Sequence, residues 1–259
     1  MALIGWQNAV EAAGTALSAG SEAAGYPVQM LGIPIGAPSV AWQTAAGVTS
    51  SHILIVPPAP VDWRVVALTR TNLTSAATIR VRIGSVANIT SAPDYDGTVV
   101  SAGVVAGIGQ ALHILPGAVT AAACRIDIAD ASNPDGVLNI PLAYAGPATE
   151  FNISPQSQPT LEPRRQDVTT RGGQVFTDPL SRARSWGITV GFIRESAIAF
   201  LDPLEAAAAS GANILFVPRQ SSARASAESI LGLMTSGPRG FLGPTGNFRA
   251  WSATITERL

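Results

Sequence analysis

RIDIADASNPDGVLNIPLAYAG, residues Arg125 to Gly146, begins as a strand, breaks at a turn and resumes. Ile126 and Ile128 alternate with Arg125 and Asp127, the period of a strand with one buried face. The pattern stops at Asp130 and enters Ser132-Asn133-Pro134-Asp135-Gly136. Pro presets φ there, Asn and Asp bond back to nearby backbone, and Gly accepts a positive φ. Val137, Leu138 and Ile140 then resume an apolar run. Two apolar runs joined by such a turn predict a β-hairpin, with the rest of a sheet upstream and a second unit downstream.

Working back from Arg125, further strands are expected. Ala77–Ile83 alternates cleanly, with Ile79, Val81 and Ile83 on one face and Thr78, Arg80 and Arg82 on the other. That is a sheet strand with one wet face. Trp63–Thr71, the buried run Ser51–Val56, Thr98–Val105 and Ala111–Leu115 supply the others. Asn72, Asp94-Tyr95-Asp96-Gly97 and Pro57-Pro58-Ala59-Pro60 mark the turns. Short strands at this spacing predict an antiparallel sandwich. Residues 1–25 are alanine-rich, but Gly14, Gly20 and Gly25 argue against one long helix. Prolines 27, 34 and 38 hold the following chain extended.

Composition narrows the function. The chain has 259 residues, enough for one large or two ordinary domains, and 47% of them are apolar against 13% charged. A net charge of −1 gives no field that favours nucleic acid. All sixteen basic residues are arginine, which removes Schiff-base chemistry and a P-loop lysine. Cys124 is the single cysteine, so an internal disulfide and a cysteine-based zinc site are excluded, and the thiol reads as a buried small hydrophobe. No signal-peptide pattern opens the chain. The uncharged stretch from Gly97 to Cys124 exceeds the roughly 20 residues that span a bilayer. Its Gly, Pro, Gln and His residues fit strands and turns better, so no membrane span is expected.

The chain changes character after Gly146. Residues 147–173 are rich in Pro, Ser, Thr, Gln and Arg and read as an extended connector. Trp186–Phe192 is a strand. Arg194–Ser210 is helical, with Ile198, Leu201, Leu204 and Ala208 on one stripe and Gly211 as its stop. Pro203 either kinks that helix or takes the first position of a fresh one, with Asp202 as its cap. Asn213–Pro218 and Phe248–Thr256 are strands, with a Gly/Pro loop over 236–247 before the last.

With these pieces in order, the N-terminal part resembles a known family. Asn8, the small-residue SAGSEAAGYPVQML, Trp42, HILIV, VVALTRTNLTSAATIRVRI and the arginine-led RIDIADASNPDGVLNIPLAYAG resemble the discoidin-like (galactose-binding-like) jelly rolls of phage tail-tip and baseplate proteins. Residues 174–259 are similar to tail-tube-like domains. The resemblance implies a mainly β chain in three parts. These are a discoidin-like jelly-roll β-sandwich over 1–150, a connector over 151–173, and a smaller α+β domain, a β-sandwich with a flanking helix, over 174–259. It also implies a non-enzymatic virion protein of the tail tip, distal tail or baseplate, forming a homo-oligomeric ring and joining other phage tail proteins. The alternative is a carbohydrate-binding adhesin that recognises a host glycan. A cell-wall hydrolase would need paired carboxylates in a cleft, and the acids here sit in turns.

Candidate site residues follow. Tyr26 and Tyr95 are candidate glycan-contact aromatics, whereas Trp42 and Trp63 read as core. Arg164, Arg165 and Arg171 are candidate subunit-interface residues. Asp127, Asp130, Asn133 and Asp135 are oxygen donors, but the spacing of a calcium loop is absent and each has a turn role. Asp94 and Asp96 read the same way. His52 and His113 lie in apolar strands with no acid motif beside them, so no metal ligand or catalytic role is assigned, and no cofactor. The sequons at Asn72, Asn88 and Asn152 read as chance matches.

Overall fold

The computed structural model describes residues 1–242 and 248–258; side chains at 163–165, 178–181, 195–197 and 241–242 lie outside the described set. Contacts divide the chain into unit 1, Met1–Phe151 with Leu215–Ser229, and unit 2, Asn152–Ile214 with Ile230–Leu259. Strand predominates throughout, so the class is mainly β.

Unit 1 carries β1 (Ala2–Gly5), β2 (Ala16–Ala19), β3 (Trp42–Gln43), β4 (Ser50–Val56), β5 (Val61–Thr69), β6 (Thr78–Gly84) and β7 (Tyr95–Asp96). It continues with β8 (Val100–Ser101), β9 (Ala111–Ala121), β10 (Ala123–Ala129), β11 (Asn139–Ile140), β12 (Leu142–Gly146) and β13 (Thr149–Phe151). One sheet has the order β2-β4-β10-β6-β7, with β8 also on β6; a second has the order β12-β5-β9. Ile53, Ile55, Ile79, Val81, Ile126 and Ile128 from the first meet Trp63, Val66, Leu68, Ala111 and Ala143 from the second in one core. Unit 1 is therefore an antiparallel β-sandwich.

Trp42 and Trp63 are fully buried, in the core where they were expected. Each satisfies its indole N–H on a carbonyl, Ser21 O at 3.0 Å and Ala121 O at 2.9 Å. Asn8 is a staple: Nδ2 donates to Ala143 O at 2.8 Å and Oδ1 accepts from Ala145 N at 3.1 Å, fixing the N-terminal segment along β12.

The expected hairpin does not form. The turn chemistry holds, with Gly136 at φ 66° and Asn133 N–H bonded to Asp130 O, but β10 pairs with β4 and β6 while β11 pairs with β3 and β12 with β5. Both edges of β10 are already taken, so the chain leaving the turn crosses to other partners. Turn residues set a reversal; they do not choose the neighbour. Thr98–Val105 is likewise strand only at Val100–Ser101, because Gly103 turns the chain at φ 67°.

Unit 2 carries β14 (Gln158–Thr169), β15 (Val175–Arg194), helix α1 (Leu201–Ala209), β17 (Ile230–Leu242) and β18 (Phe248–Glu257), between which β16 (Ile214–Val217) and the short helix α2 (Ala225–Glu228) intervene. β16 pairs with β1 through Leu3↔Val217 and Ile4↔Phe216. The unit 2 sheet runs β17-β18-β15-β14, antiparallel throughout. Within the stretch expected as a connector, Gln158–Thr169 is extended and is hydrogen-bonded along β15. The predicted Gly/Pro loop is strand as far as Leu242, with Gly237 and Pro238 absorbed at a register shift between Ser236 and Arg239; residues 243–247 lie outside the described residues.

The helical segment starts as a 3-10 turn over Glu195–Phe200, and Leu201 then opens α1. The helix starts two residues before the expected site: Phe200, not Asp202, is its N-cap. Pro203 is its third residue rather than its first, still within the first turn, where its missing N–H would have had no helical partner. Gly211 ends the helix at φ 77°. Glu205 fixes α1 to the sheet. It accepts hydrogen bonds from Arg239 Nη2 at 2.6 Å, Ser236 Oγ at 2.7 Å and the buried Trp251 Nε1 at 3.0 Å.

Candidate functional site

The candidate site is the outer face of the unit 1 sheet at β4, β10 and β6. Alternation sends Ile53, Ile126 and Val81 into the core, so their neighbours must face outward. Register places Leu54, Arg125, Arg82 and Asp96 in one row across β4, β10, β6 and β7, and His52, Asp127 and Arg80 in the next. Arg125 and Arg82 thus stand directly opposite, an arrangement that like charges disfavour.

Asp127 relieves it. Arg82 donates to Asp127 Oδ2 from Nη2 at 2.6 Å and from Nε at 3.1 Å, and Arg125 Nε donates to Oδ1 at 3.0 Å. Arg80 donates to both oxygens of Asp96, at 2.9 and 2.7 Å. These charge-assisted, two-point contacts are the stronger class of hydrogen bond. The face holds three guanidiniums against two carboxylates. Arg82 is nearly covered, its side chain 10% exposed, while Arg80 is 36% and Arg125 20% exposed. Nη1 of Arg80 and Nη1 of Arg125 have no hydrogen-bond partner among the described residues.

His52 completes the second row. Burial lowers its pKa, and the nearby Arg125 lowers it further against the opposing pull of Asp127, so the ring is neutral at pH 7. Gly20 gives that ring room, since a Cβ there would lie 2.7 Å from Nδ1. The strand rows therefore offer guanidinium donors, a carboxylate acceptor and a neutral imidazole, all on backbone paired on both sides.

The other candidate residues separate. Tyr95, on edge strand β7, is half-buried and its hydroxyl lies 3.0 Å from His113 Nε2; burial raises the Tyr95 pKa and lowers that of His113. Tyr26 pairs with Ala23 and accepts Gln43 N–H, on the β3 side of the unit. The two tyrosines do not share a site. Arg171 is exposed in the turn between β14 and β15; the side chains of Arg164 and Arg165 lie outside the described residues. Cys124 is buried, and burial pushes its thiol pKa up.

The turn acids act as clamps. Asp130 accepts Thr74 N–H and Thr74 Oγ1, each at 2.7 Å, and Asp135 accepts Asn72 Nδ2 at 2.9 Å. Asn72 also donates to Val137 O and accepts Asn139 N–H, so its amide joins two loops. Among the described residues, no group of three or more His, Cys, Asp or Glu is placed to hold a metal. Among the described residues, no helix is long and apolar enough to cross a membrane. A cavity of about 370 Å³ in unit 1 is lined by Pro57, Pro58, Pro60, Ala9 and Pro147, with Asp62 among its polar residues.

Sequence reasoning placed Arg80 and Arg82 on a wet face and Arg125 at the head of a strand. It missed that these join one patch, since Arg82 and Asp127 are 45 residues apart in the chain. The available signal was the shared alternation of 79–83 and 125–128, which put arginines outward on both strands.

No family model and no curated protein matches this chain. Among solved structures it is similar to the lectin domain of lectinolysin complexed with Lewis B antigen. That match has 11% identity and a TM-score of 0.42, and covers 54% of this chain and 95% of that one. It is similar to the family 32 carbohydrate-binding module of C. perfringens NanJ in complex with galactose, at 12% identity and a TM-score of 0.41, over 56% of this chain and 98% of that one. A chitosan-binding module from a chitosanase/glucanase of Paenibacillus sp. IK-5 matches at 20% identity and a TM-score of 0.41, over 54% and 98%. The fold described above rests on the chain's own strand pairing.

Proposed function

We propose that this chain is a non-enzymatic binding protein whose unit 1 recognises a carbohydrate. One observation carries the reading: Arg80, Arg82, Arg125, Asp127 and His52 present hydrogen-bond donors and acceptors together on the outer face of three adjacent paired strands. A sugar displays closely spaced hydroxyls that both donate and accept. Fixed guanidinium forks and a carboxylate suit such a ligand, and rigid strands hold them in place without an ordering penalty on binding. The function is binding without turnover, with no cofactor. A panel of immobilised glycans probed with the full chain tests this; retention by a subset of sugars is expected, and no retention by any would refute it.

A second reading adds assembly through unit 2, as a virion protein of the tail tip, distal tail or baseplate. What supports it is the β14–β15 ribbon, where Leu161, Val168, Val175 and Phe176 are each more than half exposed and Val168 lies opposite Phe176. Exposed apolar pairs on a two-stranded ribbon mark a surface that gains from being covered. In this reading copies of the chain form a ring and join other tail proteins, with Arg171 at the turn of the ribbon. Light scattering of the purified chain tests it: a closed oligomer is expected, and a strict monomer that joins no tail protein would refute it.

A further inference from the structure

We propose that the outer face of β4, β10 and β6 binds an anionic sugar, with its carboxylate or sulfate held by Arg125 and Arg80; this rests on the carbohydrate reading of unit 1 and narrows it to acidic saccharides. Arg80, Arg82 and Arg125 bring three guanidinium cations, and Asp127 and Asp96 are the carboxylates bonded to them. The face keeps one positive charge in surplus, although the whole chain carries −1.

Arg125 and Arg82 face each other in register with only Asp127 between their charges. A second anion over Arg125 would complete the counter-charge that this juxtaposition lacks. Arg82 is the buried anchor, with its remaining Nη1 directed to Thr90 O at 3.4 Å. Arg125 and Arg80 are the more open pair, and each keeps an Nη1 group without a partner among the described residues. A planar guanidinium matches the oxygens of a carboxylate or sulfate, which is why arginine rather than a point charge suits such a site. His52 and the exposed part of Asp127 remain beside the two arginines to meet ring hydroxyls.

Titration calorimetry of the full chain tests the proposal, using a glucuronate-terminated saccharide, a sulfate-ester saccharide and the neutral parent of each. The acidic sugars are expected to bind tighter by on the order of tenfold, weakening as salt rises. Arg125→Gln and Arg80→Gln are each expected to lower affinity for the acidic sugars by about tenfold more than for the neutral parents, narrowing the gap between them. The acidic sugar that binds more tightly identifies the preferred group. Displacement of acidic sugar from the unaltered chain by inorganic sulfate is a second readout, free of any folding defect in a variant. Equal affinity for acidic and neutral sugars overturns the proposal and leaves the carbohydrate reading standing. Binding of inorganic sulfate but of no saccharide, or binding of nothing, overturns both.

Discussion

Asp127 faces Arg80 across the β10–β6 ladder, yet its hydrogen bonds go to Arg82, one row away, at 2.6 and 3.1 Å. Arg80 makes the matching diagonal contact with Asp96, which in register faces Arg82. The two ion pairs are thus displaced by one row each, and Asp127 is shared between Arg82 and Arg125. The sheet face is a linked patch in which one carboxylate holds two cations.

Removing that carboxylate should be felt in stability. Asp127→Ala leaves Arg82, which is nearly covered, without its two-point partner, and a cost of about 2 kcal/mol is expected. Double substitution with Arg82→Met should recover part of it, because the uncompensated buried charge is then gone. Denaturant melts of the two variants check this.

The loop clamp at Asp130 predicts a different pattern. Asp130 is 1% exposed and accepts both the backbone N–H and the hydroxyl of Thr74. Asp130→Ala removes the acceptor that both donors share, leaving the Thr74 hydroxyl only Ser132 Oγ at 3.4 Å, and should lower stability by about 1–3 kcal/mol. Since the acid serves the fold, addition of calcium or of a chelator should leave the melting temperature of the unaltered chain unchanged.

Gly109 sits at φ 62° with Thr71 N–H bonded to its carbonyl at 2.7 Å, and a Cβ there would lie 2.3 Å from Thr71 O. Backbone cannot yield as a flexible side chain does. Gly109→Ala should therefore destabilise unit 1 by more than about 1 kcal/mol, beyond what loss of glycine's freedom alone would give. Gly25, also at positive φ but with open space around its Cβ, is the comparison: Gly25→Ala should cost less.

Unit 2 should respond to acid through Glu205. Burial raises this carboxyl's pKa, but the hydrogen bonds from Arg239 and Ser236 outweigh it, and the net pKa is lowered. A carboxylate depressed in the folded state adds stability that is present above its unfolded pKa of about 4.3 and is lost as pH falls through the folded value. Glu205→Gln should reduce stability at neutral pH and flatten the acid limb of a melting-temperature profile. An acid limb as steep as that of the unaltered chain would show that the lock contributes nothing.

The sequence made some of this plain and hid the rest for physical reasons. Alternation at Ile79, Val81 and Ile83 and at Ile126 and Ile128 identified strands correctly, because a half-buried strand must repeat every two residues. The turn at Asn133–Gly136 was also visible. Its expected hairpin was wrong because local chemistry bends a chain without saying which edge is free, and β10 had neither edge free. The strand through Gly237 and Pro238 was hidden for the converse reason: a bulge tolerates residues that ordinarily end strands. At the candidate site, the outward arginines were legible one strand at a time. Their meeting over Asp127 was not, since it depends on pairing across 45 residues. The tyrosines were chosen for chemistry alone, and topology placed them apart.

The most direct test of the carbohydrate account follows the arginine Nε–H signals by NMR while a saccharide is titrated into the full chain. Arg80 and Arg125 are expected to shift in a saturable way, with Arg82 and the backbone amide of Asp127 following. Shifts confined to the surroundings of Tyr26, Tyr95 or the proline-lined cavity, with the three arginines unmoved, would contradict it.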